Sequence, residues 1–233
     1  MNKLLFFLIS AMLFLSSCKK EEVKQKNTRL KTYSFLGMAY TITYNSFNKI
    51  DNLKVVNGTN ISYTYCRYKA DHSLDSIILF NVDGNVYRSI DVDCSNFRIT
   101  KYDDNVITYN SNGNINTITN FYYYYGDLHY QYSGDSLMIY NSSDILIDKY
   151  QISTSIKNPF YITGFEAERF VLYYLLDYAS PLSSALLPYA ETKKYLESVY
   201  TNYTYEGNFN GYPLKRYLGT NTEYVETFTY EEF

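Results

Sequence analysis

Tryptophan is absent from the 233 residues, proline occurs four times and histidine twice. So few prolines are in keeping with strands. His72 and His129 lie far apart and form neither His-x-His nor His-Glu-x-x-His, so a histidine-built metal centre is not predicted. Three cysteines, Cys18, Cys66 and Cys94, cannot make a four-cysteine zinc site. The formal charge is only −3, with 21 basic against 24 acidic residues, and no basic run interleaves with aromatics. Binding nucleic acid requires neutralised phosphates, so a nucleic-acid partner is excluded. Disorder is excluded too, because 46% of the residues are hydrophobic and 19% are charged.

What is abundant is tyrosine, 30 of 233, with 14 phenylalanines. Together with Thr, Ile and Val this composition favours strands.

The apolar run at residues 4–15 (LLFFLISAMLFL) is twelve long and follows Lys3. A membrane-spanning helix needs about 20 residues, so the run reads as a secretory signal. Leu15-Ser16-Ser17-Cys18 follows it and resembles a bacterial lipobox. The resemblance implies that residues 1–17 are removed and that Cys18 becomes acylated, palmitate included, making the lipid bilayer a partner. Removing Lys3 with the leader leaves 20 basic against 24 acidic residues, or −4. Lys20, Glu21 and Glu22 stand just after the cysteine and resemble the surface-export signal of Bacteroidetes lipoproteins. That implies an outer-membrane anchor with display on the cell surface; the alternative is the periplasmic face. Residues 18–31 are expected to be a charged, flexible tether, and residues 32–233 one β-rich domain.

Within that domain one pattern returns: an aromatic residue, Asn or another turn former, a short loop, then an aliphatic residue opening a strand. It occurs at Tyr44-Asn45-Ser46-Phe47-Asn48-Lys49-Ile50, at Phe80-Asn81-Val82-Asp83-Gly84-Asn85-Val86 and at Tyr109-Asn110-Ser111-Asn112-Gly113-Asn114-Ile115. Looser copies start at Tyr140-Asn141 and Tyr205-Glu206. Asp83-Gly84 and Asn112-Gly113 accept positive φ cheaply and predict hairpins. Uneven spacing predicts a meander of hairpins, not a strict repeat array.

Along 61–68, Ile61, Tyr63 and Tyr65 share one face and Ser62, Thr64 and Cys66 the other. Along 86–93, Val86, Arg88, Ile90 and Val92 oppose Tyr87, Ser89, Asp91 and Asp93. One mostly apolar and one mostly polar face is the pattern of an antiparallel sheet with one side in water. The chain is therefore predicted to be mainly all-β: an antiparallel meander forming a curled sheet or a soluble barrel. An irregular insertion is expected at about 158–190, with one short helix near 165–178 that buries Leu172, Leu175 and Leu176.

The hairpins, the Asn158-Pro159-Phe160 segment and the closing Asn210-Gly211-Tyr212-Pro213-Leu214-Lys215 resemble a group of uncharacterised Bacteroidetes surface lipoproteins with a porin-like β-fold. The hairpins also resemble the Tyr-Asp repeats of large secreted shell proteins. Neither resemblance brings catalytic residues.

A barrel that spans the outer membrane would need strands of about 9–11 residues with an uncharged outer face. Most strands here read as five to eight residues, and Lys149 shares a face with Ile145 and Ile147. A soluble sheet or barrel is the expectation.

The search for chemistry yields little. There is no Gly-x-Ser-x-Gly elbow, phosphate loop or dinucleotide fingerprint. No catalytic residue, metal ligand or cofactor is predicted. Asp91, Asp93, Asp103 and Asp104 offer oxygens suited to Ca²⁺ but read as solvated surface. Glu166 and Glu168 suit the acidic first turn of a helix. One strand separates Cys66 from Cys94, a gap of about 9.6 Å, beyond disulfide reach. Tyr122, Tyr123, Tyr124 and Tyr125 place rings on both faces of a strand and are the candidate contacts for a glycan or protein ligand. The leading reading is a non-enzymatic binding or envelope-structural module. Alternatives are a surface hydrolase acting on glycans or peptides, and a carrier of an apolar ligand inside a barrel.

Overall fold

The computed structural model describes residues 27–95, 98–120, 126–159, 189–196, 199–219 and 225–233. Sixteen strands run through them: β1 (Thr28–Phe35), β2 (Met38–Tyr44), β3 (Ile50–Asn57), β4 (Asn60–Tyr68), β5 (Leu74–Phe80), β6 (Val86–Ser95), β7 (Arg98–Tyr102) and β8 (Asn105–Tyr109). Then follow β9 (Ile115–Ile118), β10 (Leu128–Ser133), β11 (Ser136–Tyr140), β12 (Leu146–Lys157), β13 (Tyr189–Leu196), β14 (Val199–Glu206), β15 (Lys215–Leu218) and β16 (Val225–Glu232). Each strand pairs antiparallel with its neighbour in sequence, and β1 pairs with β16, which closes the barrel. The expected helix near 165–178, with Leu172, Leu175, Leu176, Glu166 and Glu168, lies outside the described residues.

The repeated hairpin has a definite mechanism. At Asn45, Asn81, Asn110 and Asn141 the side-chain Oδ1 accepts from the backbone N–H two and four residues later. The backbone carbonyl of the same Asn accepts from the residue three later. That residue, Asn48, Gly84, Gly113 or Asp144, sits at positive φ. This is a type I turn closed by a left-handed residue, with asparagine supplying the acceptors that fix it. Asp83-Gly84 joins β5 to β6 and Asn112-Gly113 joins β8 to β9, as expected. The same backbone turn recurs at Lys69–Ser73, where Lys69 replaces Asn and Asp71 accepts from Ser73 N and Oγ. The copy at Tyr205 is different: Glu206 and Gly207 lead into a longer loop closed by the Phe209–Tyr212 bridge.

The tyrosines that precede these turns brace the wall. Tyr44 Oη donates to Leu30 O (2.5 Å), Tyr68 Oη to Ile50 O (2.7 Å) and Tyr109 Oη to Ile99 O (2.7 Å). In each case the next residue, Lys31, Asp51 or Thr100, is skipped in the strand register. A bulge disrupts the ladder locally, and the hydroxyl meets the carbonyl beside it. The residue before each acceptor is basic and lies over the same ring: Arg29 over Tyr44 (4.1 Å), Lys49 over Tyr68 (5.4 Å) and Arg98 over Tyr109 (5.2 Å).

The inward faces are dry. Leu30, Ile50, Ile77, Ile90, Ile118, Leu128, Leu137 and Ile139 have no exposed surface, and one apolar cluster runs from Leu30 to Phe228. A round barrel of sixteen strands leaves an aqueous channel, which would wet these side chains. The polar groups inside are tied together: Tyr33 Oη donates to Glu226 Oε1 (2.7 Å), Arg216 clasps both Glu226 oxygens, and Tyr150 Oη donates to Asp148 (3.1 Å).

Two details differ from the alternation pattern. β1 opens at Thr28, inside the stretch assigned to the tether, because Leu30 is core and the charged residues around it pair with β16, as in Arg29–Glu231 (2.7 Å). On β4 the polar face is the inner one. Thr64 and Cys66 are buried opposite Leu53 and Ile77, which leaves Ile61, Tyr63 and Tyr65 outside. Register against two strongly apolar neighbours fixes which face of β4 is inner, and the hydrophobicity of β4 itself does not. β6 behaves as expected, with Ile90 and Val92 buried and Asp91 and Asp93 exposed.

Candidate functional site: the outer wall over β3 to β6

The outward face of β4 meets apolar partners on both sides. Ile61 stands opposite Val56 of β3, and Tyr63 and Tyr65 stand opposite Phe80 and Ile78 of β5. The Tyr63 and Tyr65 rings stack with centroids 6.2 Å apart, and Phe80 meets Tyr65 edge-on at 5.3 Å. Tyr87 of β6, 57% exposed, extends the patch. Polar side chains frame it: Thr41, Asn52 and Lys54 on one side, Ser89 and Asp91 on the other. The patch is aromatic at its centre and polar at its rim, the composition that interaction surfaces share.

Beside it lies a pocket of about 490 Å³ lined by Asp91, Asp93, Lys101, Asp103 and Asp104. The structure thus brings together the four acids that the sequence singles out. Arg88 neutralises one of them, its Nη2 lying 2.5 Å from Asp103. Asp91, Asp93 and Asp104 are exposed, and among the described residues no three His, Cys, Asp or Glu side chains form a metal-binding group. Cys66 and Cys94 are thiols, on strands separated by β5.

The remaining sequence-predicted positions, Cys18, Lys20, Glu21, Glu22 and Tyr122 to Tyr125, lie outside the described residues. The aromatic patch on β4 and β5 was missed because Ile61, Tyr63 and Tyr65 read as a core face; the signal that finds it is the stronger apolar content of Ile77 and Leu79 on the neighbouring strand.

Elsewhere the wall is mostly polar, with Val106 and Leu146 as exposed apolar exceptions. Hydroxyl pairs cross it at Thr32–Thr229 (2.6 Å), Ser34–Thr227 (2.5 Å) and Thr108–Thr117 (2.6 Å). Lys31, Asp51, Asp75, Lys101 and Gln131 are exposed along it. Charge at the bilayer midplane costs about 2–4 kcal/mol for Lys on such a face. Among the described strands β4, β6 and β12 alone reach nine residues. Apolar inside and polar outside is the reverse of a water-filled channel. No described helix is long and apolar enough to cross a membrane.

The fold is an all-β antiparallel barrel. Among solved structures, the crystal structure of a porin-like protein from Bacteroides uniformis matches with a TM-score of 0.50 and 17% sequence identity, covering 88% of this chain and 95% of the other. At that identity the likeness is one of fold. No protein-family profile and no curated protein matches the sequence.

Proposed function

We propose that the protein is a lipid-anchored envelope module that binds polysaccharide, without catalysing a reaction, through the outer wall over β3 to β6. The observation that carries this is the exposed Ile61-Tyr63-Tyr65 face with Phe80 and Tyr87 beside it. Flat rings offer sugar faces an apolar surface, their hydroxyls stay wet, and Thr41, Asn52, Lys54 and Ser89 supply hydrogen-bonding groups at the rim. Acylation of Cys18 anchors the chain to the outer membrane, and Lys20-Glu21-Glu22 directs it to the cell surface. The likeness to a porin-like protein is in keeping with an envelope location. The test is affinity electrophoresis of the Cys18→Ala chain through gels containing bacterial and host polysaccharides. Retardation in at least one gel is expected, weakened about tenfold in Tyr63→Ser/Tyr65→Ser, the cost of losing a central aromatic contact. Equal mobility of the two proteins in every gel contradicts the proposal.

The acidic pocket favours a second reading, a surface hydrolase using two of Asp91, Asp93, Asp103 and Asp104. Release of reducing ends from a bound glycan, abolished in Asp91→Asn/Asp93→Asn, would establish it; binding without release rejects it.

A further inference from the structure

Strand directions give the barrel two distinct ends. β1 begins and β16 finishes at the same end, where Phe233 N donates to Asn27 O (3.0 Å). The turns at 45–49, 69–73, 110–114 and 207–214 belong to that end. The turns at 36–37, 58–59, 81–85 and 141–145 belong to the other.

Around the entry to β1 the side chains are locked together. The Arg29 guanidinium lies 4.1 Å from the Tyr44 ring and 4.8 Å from the Phe233 ring, and it donates to Asn48 Oδ1 (3.0 Å). Phe47, next to Asn48, packs on the His72 ring at 3.9 Å. Asn210 donates to Thr28 Oγ1 (3.2 Å), which holds the 207–214 loop against the same point. Three exposed apolar side chains therefore surround it: Phe47 (55%), Phe233 (42%) and Leu214 (39%). Ion pairs of both signs run among them: Arg29 and Lys31 with Glu231, Lys69 with Asp75, Lys215 with Glu206.

Ten peptide steps separate Cys18 from Thr28. Fully extended they span at most about 36 Å. An eight-residue strand is about 26 Å long, so the opposite end stands roughly a strand length farther from an acylated Cys18. A short link turns a weak contact into an intramolecular one at about millimolar effective concentration. Exposed apolar side chains at the anchored end then meet the bilayer repeatedly, and each gains by leaving water.

We propose that the barrel end formed by Phe47, Leu214 and Phe233 rests in the lipid interface, with the opposite end directed away. This deepens the envelope-module reading and rests on acylation of Cys18. The occupant is the bilayer surface itself. The balanced charges make the contact apolar, so it does not require anionic lipid. The opposite end also carries exposed apolar tips, Leu36, Val82 and Ile145; the tether meets the near end without folding back along the barrel, which favours that end.

The absence of Trp makes the test direct. Acylated full-length Phe47→Trp and Phe233→Trp report on one end and Val82→Trp on the other, each as the sole Trp. All three are reconstituted in phosphatidylethanolamine vesicles with and without lipid brominated near the headgroups. Flotation is measured first: protein that fails to float with the vesicles overturns the anchor and this inference together. Among floating proteins, emission at positions 47 and 233 should fall about twofold with brominated lipid, as expected for side chains within the headgroup boundary, and emission at 82 should not change. The fall should persist at high salt. Equal quenching at 47 and 82, stronger quenching at 82, or none at 47 and 233 overturns the orientation while leaving the anchor intact. Loss of quenching at high salt overturns the apolar contact.

Discussion

Replacing Tyr44 by Phe removes one hydroxyl and leaves the ring in place. Tyr44 Oη donates to Leu30 O at 2.5 Å, beside the register slip between Leu30 and Thr32. Leu30 is fully buried and the Tyr44 ring packs partly buried against the core, which pushes the phenol well above its ordinary range. Water cannot readily replace the lost donor, so the cost is that of a buried carbonyl left unmatched, about 1–3 kcal/mol. For a domain of this size a loss of about 1.5 kcal/mol lowers Tm by about 3–6 °C. Tyr68→Phe and Tyr109→Phe remove the same contact at Ile50 and Ile99. Sites far apart add to within about 0.5 kcal/mol, so the triple variant should lose about 4–5 kcal/mol, a large part of a typical stability of about 5–15 kcal/mol. Tyr63→Phe, on the outer wall, is the control and should stay within about 0.5 kcal/mol of wild type. Urea unfolding followed by far-UV circular dichroism measures all of these proteins. The reasoning is refuted if Tyr44→Phe is indistinguishable from Tyr63→Phe, or if the triple variant costs no more than one single change.

Two further predictions concern a turn and pH. Gly84 and Gly113 both have positive φ, but a Cβ at Gly84 meets open space whereas one at Gly113 meets Arg98 Nη1 at 2.9 Å, with Nη2 closer still. Gly84→Ala should therefore cost about 1–2 kcal/mol from backbone strain alone, and Gly113→Ala about 0.5–1 kcal/mol more, because the flexible end of Arg98 must shift off the Tyr109 ring; thermal melts that rank them the other way contradict this. Burial also raises Tyr132 and Tyr230 above the ordinary phenol range. With Tyr44 they keep their protons to higher pH when folded than when unfolded, so their contribution is complete below about pH 10 and is lost as pH climbs beyond it. Titration at about 295 nm, where phenolate absorbs, should show a late-ionising group whose ionisation coincides with loss of the β-sheet signal; a single smooth titration of the intact fold would speak against it. At the acid end, hydrogen bonds from Ser73 hold the Asp71 carboxyl below its usual range. Its contribution is present above that range and is lost as pH falls through the lowered value.

How far the sequence discloses this structure depends on the reach of each signal. The hairpins are legible because Asn45, Asn81, Asn110 and Asn141 supply the turn's acceptors from a single side chain. The turn at Lys69–Ser73 is silent in sequence because Asp71 and Ser73 divide that work. Alternation shows that Tyr63 and Tyr65 share a face; it does not say which face, since that depends on register against Leu53 and Ile77, set by the strands on either side. Closure is equally non-local: Arg29 and Glu231 meet across nearly the whole sequence, and the charged residues that make the seam resemble a tether when read alone. The acidic residues at 91, 93, 103 and 104 were legible as a group because β6 and the turn after β7 are close in sequence.

The barrel has a dry interior and a mostly polar exterior, and it turns the aromatic face of β4 to solvent. Adjacent positions on β4 test it, since Tyr65 points out and Cys66 points in. The measurement is maleimide labelling in detergent-free buffer, with Cys18→Ala and Cys94→Ser removing the other thiols. It compares native Cys66 with a Tyr65→Cys/Cys66→Ser variant. Cys66 should react only after denaturant is added, whereas the thiol at position 65 should react at once. Fast labelling of Cys66 in the folded protein together with protection at position 65 would contradict it.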